Sequence, residues 1–210
     1  MADGTVLLST LDGLTLVGDI DLVPHARAAA VLAHPHPRFG GDRHNAVVDQ
    51  LFRALPRVGV AVLRFDFRGV GRSEGTYGDG IDERLDVVAA IDVMAQLLPD
   101  VPLLLAGYSF GSLVALDVTD ARVAGWLAVA PPLGSVPTVR LAAGDHRRKL
   151  VLAAQHDQFT SVEALLAATE PWSSTRVEVL AMADHFLAGA LSTVQEHAIA
   201  FVDELVAGSR

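Results

Sequence analysis

Cysteine is absent from the 210-residue chain, and Lys149 is its single lysine. Without thiols the protein can form no disulfide, no thiolate metal site and no cysteine nucleophile. Acidic residues outnumber lysine and arginine by 25 to 16, which gives a formal net charge of −9. Nucleic-acid binding depends on a basic surface, so this balance argues against a nucleic-acid partner.

Long apolar runs are also absent. The longest, such as 101–106 and 126–130, have the length of a strand, whereas a membrane-spanning helix needs roughly 20 apolar residues. The stretch from Met1 to Thr5 carries neither a basic segment nor an apolar core, so no secretory signal peptide is evident. We therefore expect no membrane span and a cytoplasmic location.

Apolar residues make up 51% of the chain, which is enough for a substantial core in a single domain over residues 1–210. Short apolar segments alternate with segments of helical periodicity. Residues 6–8 and 14–20, joined by the turn Leu11-Asp12-Gly13, predict an antiparallel hairpin. Further strands are predicted at 29–33, 60–65, 103–106, 123–129, 150–154 and 177–180. Helices are predicted at 47–55, 85–98, 113–118, 162–166 and 187–206.

The later strands are apolar throughout, which indicates a sheet covered on both faces. Their alternation with helices predicts parallel strands. The expected fold class is therefore α/β: a doubly wound, mostly parallel sheet with an antiparallel N-terminal hairpin, in a three-layer sandwich. Functional sites in such sheets form at the carboxyl ends of the strands.

The segment Gly107-Tyr108-Ser109-Phe110-Gly111 follows a predicted strand and precedes a predicted helix. This is the G-x-S-x-G pattern of a nucleophile elbow, in which a tight turn projects the serine hydroxyl into the site. Glycine is needed on both sides because a side chain there would collide where strand and helix pack. A plain glycine-rich turn with a helix-capping serine is the structural alternative.

A serine nucleophile needs a base and an acid, which should follow it in the order acid, then histidine. Asp157 follows the strand at 150–154, and His185 follows the strand at 177–180. The imidazole can accept and return a proton near neutral pH, and the carboxylate orients the imidazole. We predict Ser109, Asp157 and His185 as the catalytic residues.

Three other residues compete for these roles. Asp184 adjoins His185, but neighbouring residues rarely face each other, so we expect a turn residue or helix cap. His156 is expected to be a loop residue, and Asp145 lies in a charged loop that is expected to be solvated.

The loop His34-Pro35-His36-Pro37-Arg38-Phe39-Gly40-Gly41 follows the third strand and should supply an oxyanion-hole donor beside the N–H of Phe110. Proline has no N–H, so His36 is the predicted second donor and Arg38 the alternative. We expect His34 to structure the loop and predict no metal site at the two histidines. The glycines within 64–75 do not have dinucleotide-binding spacing, so we interpret that segment as a turn with Asp66 paired to Arg68.

Together these segments resemble the α/β-hydrolase superfamily over essentially the whole chain. The resemblance rests on four segments: the 34–41 loop with Asn45, the segment 64–73, the serine elbow at 107–111 and Asp184-His185-Phe186. More narrowly, the chain resembles a small bacterial branch without a cap, near the dienelactone-hydrolase and prolyl-oligopeptidase-like groups. Dienelactone hydrolases use cysteine where this chain has Ser109. The stretch between the strands ending at 129 and beginning at 150, which includes Pro137, is too short for a lid domain.

The resemblance implies a Ser-Asp-His triad and ester or related acyl hydrolysis without a cofactor. Our first hypothesis is a serine hydrolase that cleaves small carboxylic esters, or thioesters, through an acyl-enzyme on Ser109, with no metal. The expected partner is a small-molecule acyl substrate. Two other functions stay open: an acyltransferase or cyclase using the same triad, and a non-catalytic binding module that retains the fold. The prolyl-oligopeptidase-like resemblance also leaves a peptidase open. The sequence does not distinguish a monomer from a homodimer.

Overall fold

The computed structural model describes residues 2–134 and 140–208, and Pro137 lies outside them. Eight strands and five α-helices occur in this part of the chain. The strands are β1 Ala2–Ser9, β2 Thr15–Leu22, β3 Ala28–Ala33, β4 Val60–Phe65, β5 Leu103–Tyr108, β6 Val123–Val129, β7 Arg148–Ala154 and β8 Thr175–Leu180. The helices are α1 Ala46–Ala54, α2 Glu83–Leu97, α3 Phe110–Leu116, α4 Val162–Thr169 and α5 Leu191–Gly208.

All eight strands form one mixed sheet in the order β1-β2-β4-β3-β5-β6-β7-β8. The β1–β2 and β2–β4 pairs are antiparallel, and every later neighbour pair is parallel. The predicted fold class, a mostly parallel sheet that starts with an antiparallel hairpin, is therefore confirmed.

Two apolar clusters cover the two faces of the sheet. In β3, Ala29 and Val31 belong to the cluster that includes α2, α3 and α4, whereas Ala30 and Leu32 belong to the cluster that includes α1 and α5. Successive side chains of a strand point to opposite faces, so a strand covered on both sides is apolar at every position. This is the three-layer sandwich that the continuous apolar strands predicted.

The strand order places a topological switch between β3 and β5. From β3 the chain moves to β4 on one side, and it later returns to β5 on the other side. The carboxyl ends of β3 and β5 are adjacent, because Ala33 pairs with Gly107. Segments that follow these two strands therefore meet in the crevice where ligands bind in open α/β sheets.

Two predicted helix starts are displaced. Helix α3 begins at Phe110, earlier than expected, directly after the serine. Helix α5 begins at Leu191 instead of residue 187. Met182, Leu187 and Gly189 have φ values of 58°, 58° and 81°. This backbone is incompatible with a right-handed helix, so residues 181–190 form a loop that carries His185.

The connection between β6 and β7 forms no cap in the described residues. Its structured part consists of turns and a short 3-10 helix, Leu141–Gly144. Within residues 2–134 and 140–208, the crevice at the carboxyl edge thus has no separate lid domain over it. In the same part of the chain, none of the helices is both long enough and apolar enough to cross a bilayer.

Candidate active site

Ser109 occupies the sharp turn between β5 and α3. Its backbone has φ 53° and ψ −118°, a conformation that residues other than glycine rarely adopt. The Ser109 N–H donates to the carbonyl of Val129 on β6 at 2.9 Å, which ties the turn to the sheet. The Ser109 side chain makes no helix-capping hydrogen bond. Its hydroxyl is available at the carboxyl edge, unlike that of a capping serine.

The two glycines of the elbow are required by close backbone contacts. A Cβ on Gly107 would lie 2.3 Å from the carbonyl oxygen of Gly111. A Cβ on Gly111 would lie 2.4 Å from the carbonyl oxygens of Ala33 and His34. The second contact shows that α3 starts directly against the end of β3, so the serine turn and the 34–41 loop are built against each other.

Ser109, His185 and Asp157 meet in one chain of hydrogen bonds. Ser109 Oγ lies 2.9 Å from His185 Nε2, and His185 Nδ1 lies 2.7 Å from Asp157 Oδ2. The three residues follow β5, β8 and β7, whose carboxyl ends share one edge of the sheet. The side chains of His185 and Asp157 are 7% and 4% exposed, so water screens their interaction little.

Asp157 is ionised at neutral pH. Burial raises the pKa of its carboxyl, but hydrogen bonds from His185 and from the backbone N–H of Phe159 outweigh burial and lower the pKa below its ordinary value. Asp157 Oδ1 accepts from the N–H groups of Phe159 and Thr160 at 2.8 and 3.2 Å. Asp157 Oδ2 is left to accept from the imidazole, which fixes the Nδ1–H tautomer of His185.

Contacts that the sequence analysis did not identify hold the histidine loop. The Tyr108 hydroxyl donates to the carbonyl of His185 at 2.8 Å, and the His185 N–H donates to Gln158 Oε1 at 3.2 Å. The ring of Phe159 packs edge-on against the imidazole, with centroids 4.5 Å apart. Tyr108 and Gln158 lie beside Ser109 and Asp157 in sequence, but only the loop geometry shows which way they point.

In the described part of the chain, no hydrogen bond joins the side chains of the three competing residues to the His185 ring. The side chain of His156 is exposed, and its backbone N–H donates to Ala183. Asp184 is a turn residue, as predicted, because its carbonyl accepts from the N–H of Leu187. Asp145 is not freely solvated as expected, because its carboxylate is bound by the guanidinium of Arg147.

The 34–41 loop is tightly folded beside the serine turn. A Cβ on Gly41 would lie 2.1 Å from the carbonyl oxygen of Pro35. The N–H groups of Phe39 and Gly41 both donate to the carbonyl of His36 at 3.1 Å. The backbone hydrogen bonds of the described residues include none donated by His36 or Phe110. Both predicted oxyanion donors therefore have a backbone N–H without a backbone acceptor in this part of the chain.

The side chain of His36 lies within an aromatic group. Its Nδ1 accepts from the N–H of Arg38 at 3.2 Å, so its proton resides on Nε2, which lies 3.2 Å from the Tyr77 hydroxyl. The rings of Tyr77 and Phe110 lie 5.1 and 4.8 Å from the imidazole. Burial first and Arg38 second lower the pKa of His36, so the ring is neutral at pH 7. No motif or spacing in the sequence indicated that Tyr77 lies here.

His34 structures the loop, as expected. Its Nδ1 donates to the carbonyl of Pro35 at 2.6 Å, and its Nε2 accepts from the N–H of Phe67 at 3.0 Å. Because both ring nitrogens are engaged, His34 has none left for a metal ion. Burial lowers the pKa of His34 to about 4.

His34 is expected to make the stability of the protein pH-dependent. Between about pH 6.5 and pH 4 the unfolded chain binds a proton at this position and the folded chain does not. The free energy of unfolding should therefore fall by up to about 3 kcal/mol as the pH drops through this window. Urea unfolding at pH 7 and pH 4.5 should show a smaller decrease for His34→Gln than for the wild type. Equal decreases would contradict this assignment.

The predicted pairing of Asp66 with Arg68 is wrong. The Asp66 carboxylate binds Arg43, through both its N–H and its guanidinium. Arg68 binds Asp86 at 2.7 Å and Asp12 at 2.9 Å. Asp66 and Arg68 are two residues apart in the turn just after β4, where the regular geometry of the strand has ended, so each meets a different neighbouring segment.

The fold and the Ser-His-Asp contact define the class of α/β hydrolases. A family model described as serine aminopeptidase, S33, matches residues 24–156, and the chain belongs to this hydrolase family. A solved structure from Xanthomonas campestris, described as an α/β serine hydrolase without lid, superposes with a TM-score of 0.83 at 26% identity. That match covers 98% of this chain and 94% of the other.

Two curated relatives are also similar. An uncharacterized protein of Rickettsia prowazekii is 38% identical over 116 residues, which are 54% of this chain and 48% of the relative. A polyketide transferase of a Penicillium species is 27% identical over 165 residues, 75% of this chain and 53% of the relative. The chain thus spans about half the length of the curated relatives it matches.

Proposed function

We propose that this protein is a serine hydrolase that cleaves small carboxylic esters through an acyl-enzyme on Ser109. The observation that carries the proposal is the unbroken contact from Ser109 Oγ to His185 Nε2, at 2.9 Å, and from His185 Nδ1 to Asp157, at 2.7 Å. A serine hydroxyl becomes an effective nucleophile when an adjacent base takes its proton. The absence of a lid among the described residues is consistent with small, varied acyl groups.

In the first step Ser109 Oγ bonds to the carbonyl carbon of the ester while His185 Nε2 takes the hydroxyl proton. The carbonyl oxygen becomes an oxyanion. When the tetrahedral intermediate collapses, the bond from carbon to the leaving oxygen breaks. His185 returns the proton to that oxygen, which releases an alcohol and leaves the acyl group on Ser109. Asp157, ionised because of its lowered pKa, stabilises the transient imidazolium.

In the second step water attacks the acyl carbon and His185 takes a proton from the water. Collapse breaks the bond to Ser109 Oγ, which regains the proton from His185. The products are a carboxylic acid and free enzyme. The backbone N–H groups of Phe110 and His36 bind the oxyanion in both steps. They follow β3 and β5, whose carboxyl ends are adjacent, and a preorganised donor of this kind lowers the barrier by about 3 kcal/mol.

A fluorophosphonate probe tests this proposal without knowledge of the natural ester. We expect the folded protein to gain one phosphonyl group, mapped by peptide mass spectrometry to Ser109. The reaction should be absent in Ser109→Ala and unchanged in Ser173→Ala, whose exposed serine lies just before β8 at the opposite edge. A folded wild-type protein that resists the probe would instead support the non-catalytic binding module.

Acyl transfer is the second candidate, favoured by the similarity to a protein named polyketide transferase. The two activities share the acyl-enzyme and differ in which nucleophile resolves it. Adding increasing concentrations of a primary alcohol to a p-nitrophenyl butyrate assay separates them. While the alcohol is dilute, hydrolysis predicts butyric acid as the main product, whereas transfer predicts that the new ester already predominates.

A further inference from the structure

We propose that the leaving-group side of this site selects esters of neutral aromatic alcohols and that Phe159 and Phe186 form the selecting surface. This inference rests on the proposed function and specifies its substrate class. It comes from the two loops that carry Asp157 and His185.

The proposed chemistry fixes where the leaving group lies. His185 Nε2 must reach both Ser109 Oγ, which it contacts at 2.9 Å, and the leaving oxygen that it protonates. The leaving alcohol therefore sits within hydrogen-bond reach of the imidazole. Its substituent extends over the surface next to the histidine ring. The acyl group is covalently held on the Ser109 side and does not compete for that surface.

Two phenyl rings form this surface. The Phe159 ring meets the imidazole at 65° with centroids 4.5 Å apart, and the Phe186 ring meets it at 87° with centroids 5.9 Å apart. Although they touch the buried histidine, the two phenylalanines are 52% and 63% exposed. Met182, in the same loop as Phe186, is 81% exposed. Exposed apolar side chains that contact a reactive histidine indicate a binding surface.

Ring geometry favours an aromatic substituent over an aliphatic one. Aromatic pairs prefer edge-to-face or offset contacts, which add to the gain from burying apolar area. Both phenyl rings already stand steeply to the imidazole, and their exposed parts can take a further ring in the same manner. An aliphatic group of equal size would gain the burial but not the ring contact.

Charge in these loops disfavours an anionic leaving group. Residues 155–161 and 181–190 contain no lysine or arginine, and they contribute Asp157 and Asp184. A phosphate-bearing leaving group, as in a nucleotide thioester, would meet exposed apolar rings and no cation from these two loops, above the negative charge of the two carboxylates. The surface is therefore suited to an uncharged alcohol.

Three butyrate esters test the inference: ethyl, cyclohexylmethyl and benzyl butyrate. All three esters form the same butyryl-enzyme. Differences in kcat/KM therefore arise from binding or acylation, and they measure how well the enzyme accepts each leaving group. Each kcat/KM is divided by the rate of hydroxide-catalysed hydrolysis to remove intrinsic reactivity. We expect benzyl to exceed ethyl by about tenfold or more, and to exceed cyclohexylmethyl by about threefold, from burial and ring contact respectively.

Variants locate the effect. Phe159→Ala and Phe186→Ala should each reduce the benzyl-to-ethyl ratio, and Phe159→Leu should reduce the benzyl-to-cyclohexylmethyl ratio. The Asp157 contact with the backbone N–H of Phe159 does not need the phenyl ring. Leu97→Ala is the matched control, because Leu97 is an exposed apolar residue at the end of α2 and its loss should leave both ratios unchanged.

The outcomes separate this inference from the proposed function. Turnover that depends on Ser109 but shows no benzyl preference would overturn the leaving-group inference and leave the hydrolase proposal standing. A benzyl preference that survives both alanine variants, in folded protein, would overturn the assignment to these rings. If no ester is turned over in a manner dependent on Ser109, the proposed function itself fails.

Discussion

Replacing Ser109 with alanine is expected to reduce kcat for p-nitrophenyl butyrate by about 10⁵- to 10⁶-fold, the scale seen when a catalytic serine is removed from a triad. In the proposed mechanism the hydroxyl of Ser109 forms the bond to the acyl carbon, and without it His185 Nε2, which lies 2.9 Å from Ser109 Oγ, has only water to activate. The decrease in kcat is measured from initial rates at saturating ester. The rate of spontaneous ester hydrolysis in buffer sets the limit of detection.

A loss of catalysis in Ser109→Ala must be distinguished from a loss of folded protein. The Ser109 backbone has φ 53°, which alanine tolerates poorly. Circular dichroism and thermal unfolding should therefore accompany the kinetics. Ser173→Ala removes an exposed serine at the far edge of the sheet and should retain wild-type kcat. If folded Ser109→Ala retained more than about a tenth of the wild-type rate, far above what loss of a triad member allows, the acyl-enzyme route would be excluded.

The sheet and the segments at its carboxyl edge were predictable from the sequence. Apolar strands that alternate with helices indicate parallel neighbours, and chain order then brings the segments after β5, β7 and β8 to one edge. The residue at which each strand ends can be predicted from the pattern of apolar and turn-forming residues around it. For that reason Ser109 could be proposed from its G-x-S-x-G motif, and Asp157 and His185 from their order and their positions after later strands.

Contacts between loops could not be predicted in the same way. Tyr77 lies 41 residues from His36 and reaches it because the segment after β4 folds back against the 34–41 loop. The carboxylate of Asp66, which the sequence analysis paired with Arg68, instead binds Arg43, 23 residues earlier in the chain. The positive φ of Met182 and Leu187 keeps the His185 loop out of α5 although its residues suit a helix. Such contacts depend on backbone turns whose sequence signals are weak outside glycine and proline.

Asp157→Asn is expected to lower kcat by about 10³- to 10⁴-fold, the scale of acid substitutions in other triads, while the fold is retained. The oxygen of the new amide can still accept from the N–H groups of Phe159 and Thr160, which donate to Asp157 Oδ1 at 2.8 and 3.2 Å. The amide N–H₂ then faces His185 Nδ1 and forces that nitrogen to accept. The ring proton moves to Nε2, so the nitrogen beside Ser109 Oγ can no longer take a proton. The loss therefore arises from the tautomer, with little change in position.

Asp184→Asn is the matched control because it makes the same substitution one residue before the histidine. The Asp184 carbonyl accepts from the N–H of Leu187, a backbone contact that the substitution leaves in place. We expect kcat within about threefold of the wild type, a barrier change below about 1 kcal/mol, because Asp184 takes no part in the hydrogen bonds that join Ser109, His185 and Asp157. The rate of fluorophosphonate labelling should follow the same order, slow in Asp157→Asn and near normal in Asp184→Asn. A large loss in Asp184→Asn with little loss in Asp157→Asn would transfer the role of the acid to Asp184. That result would require the histidine ring to turn away from the carboxylate it contacts at 2.7 Å.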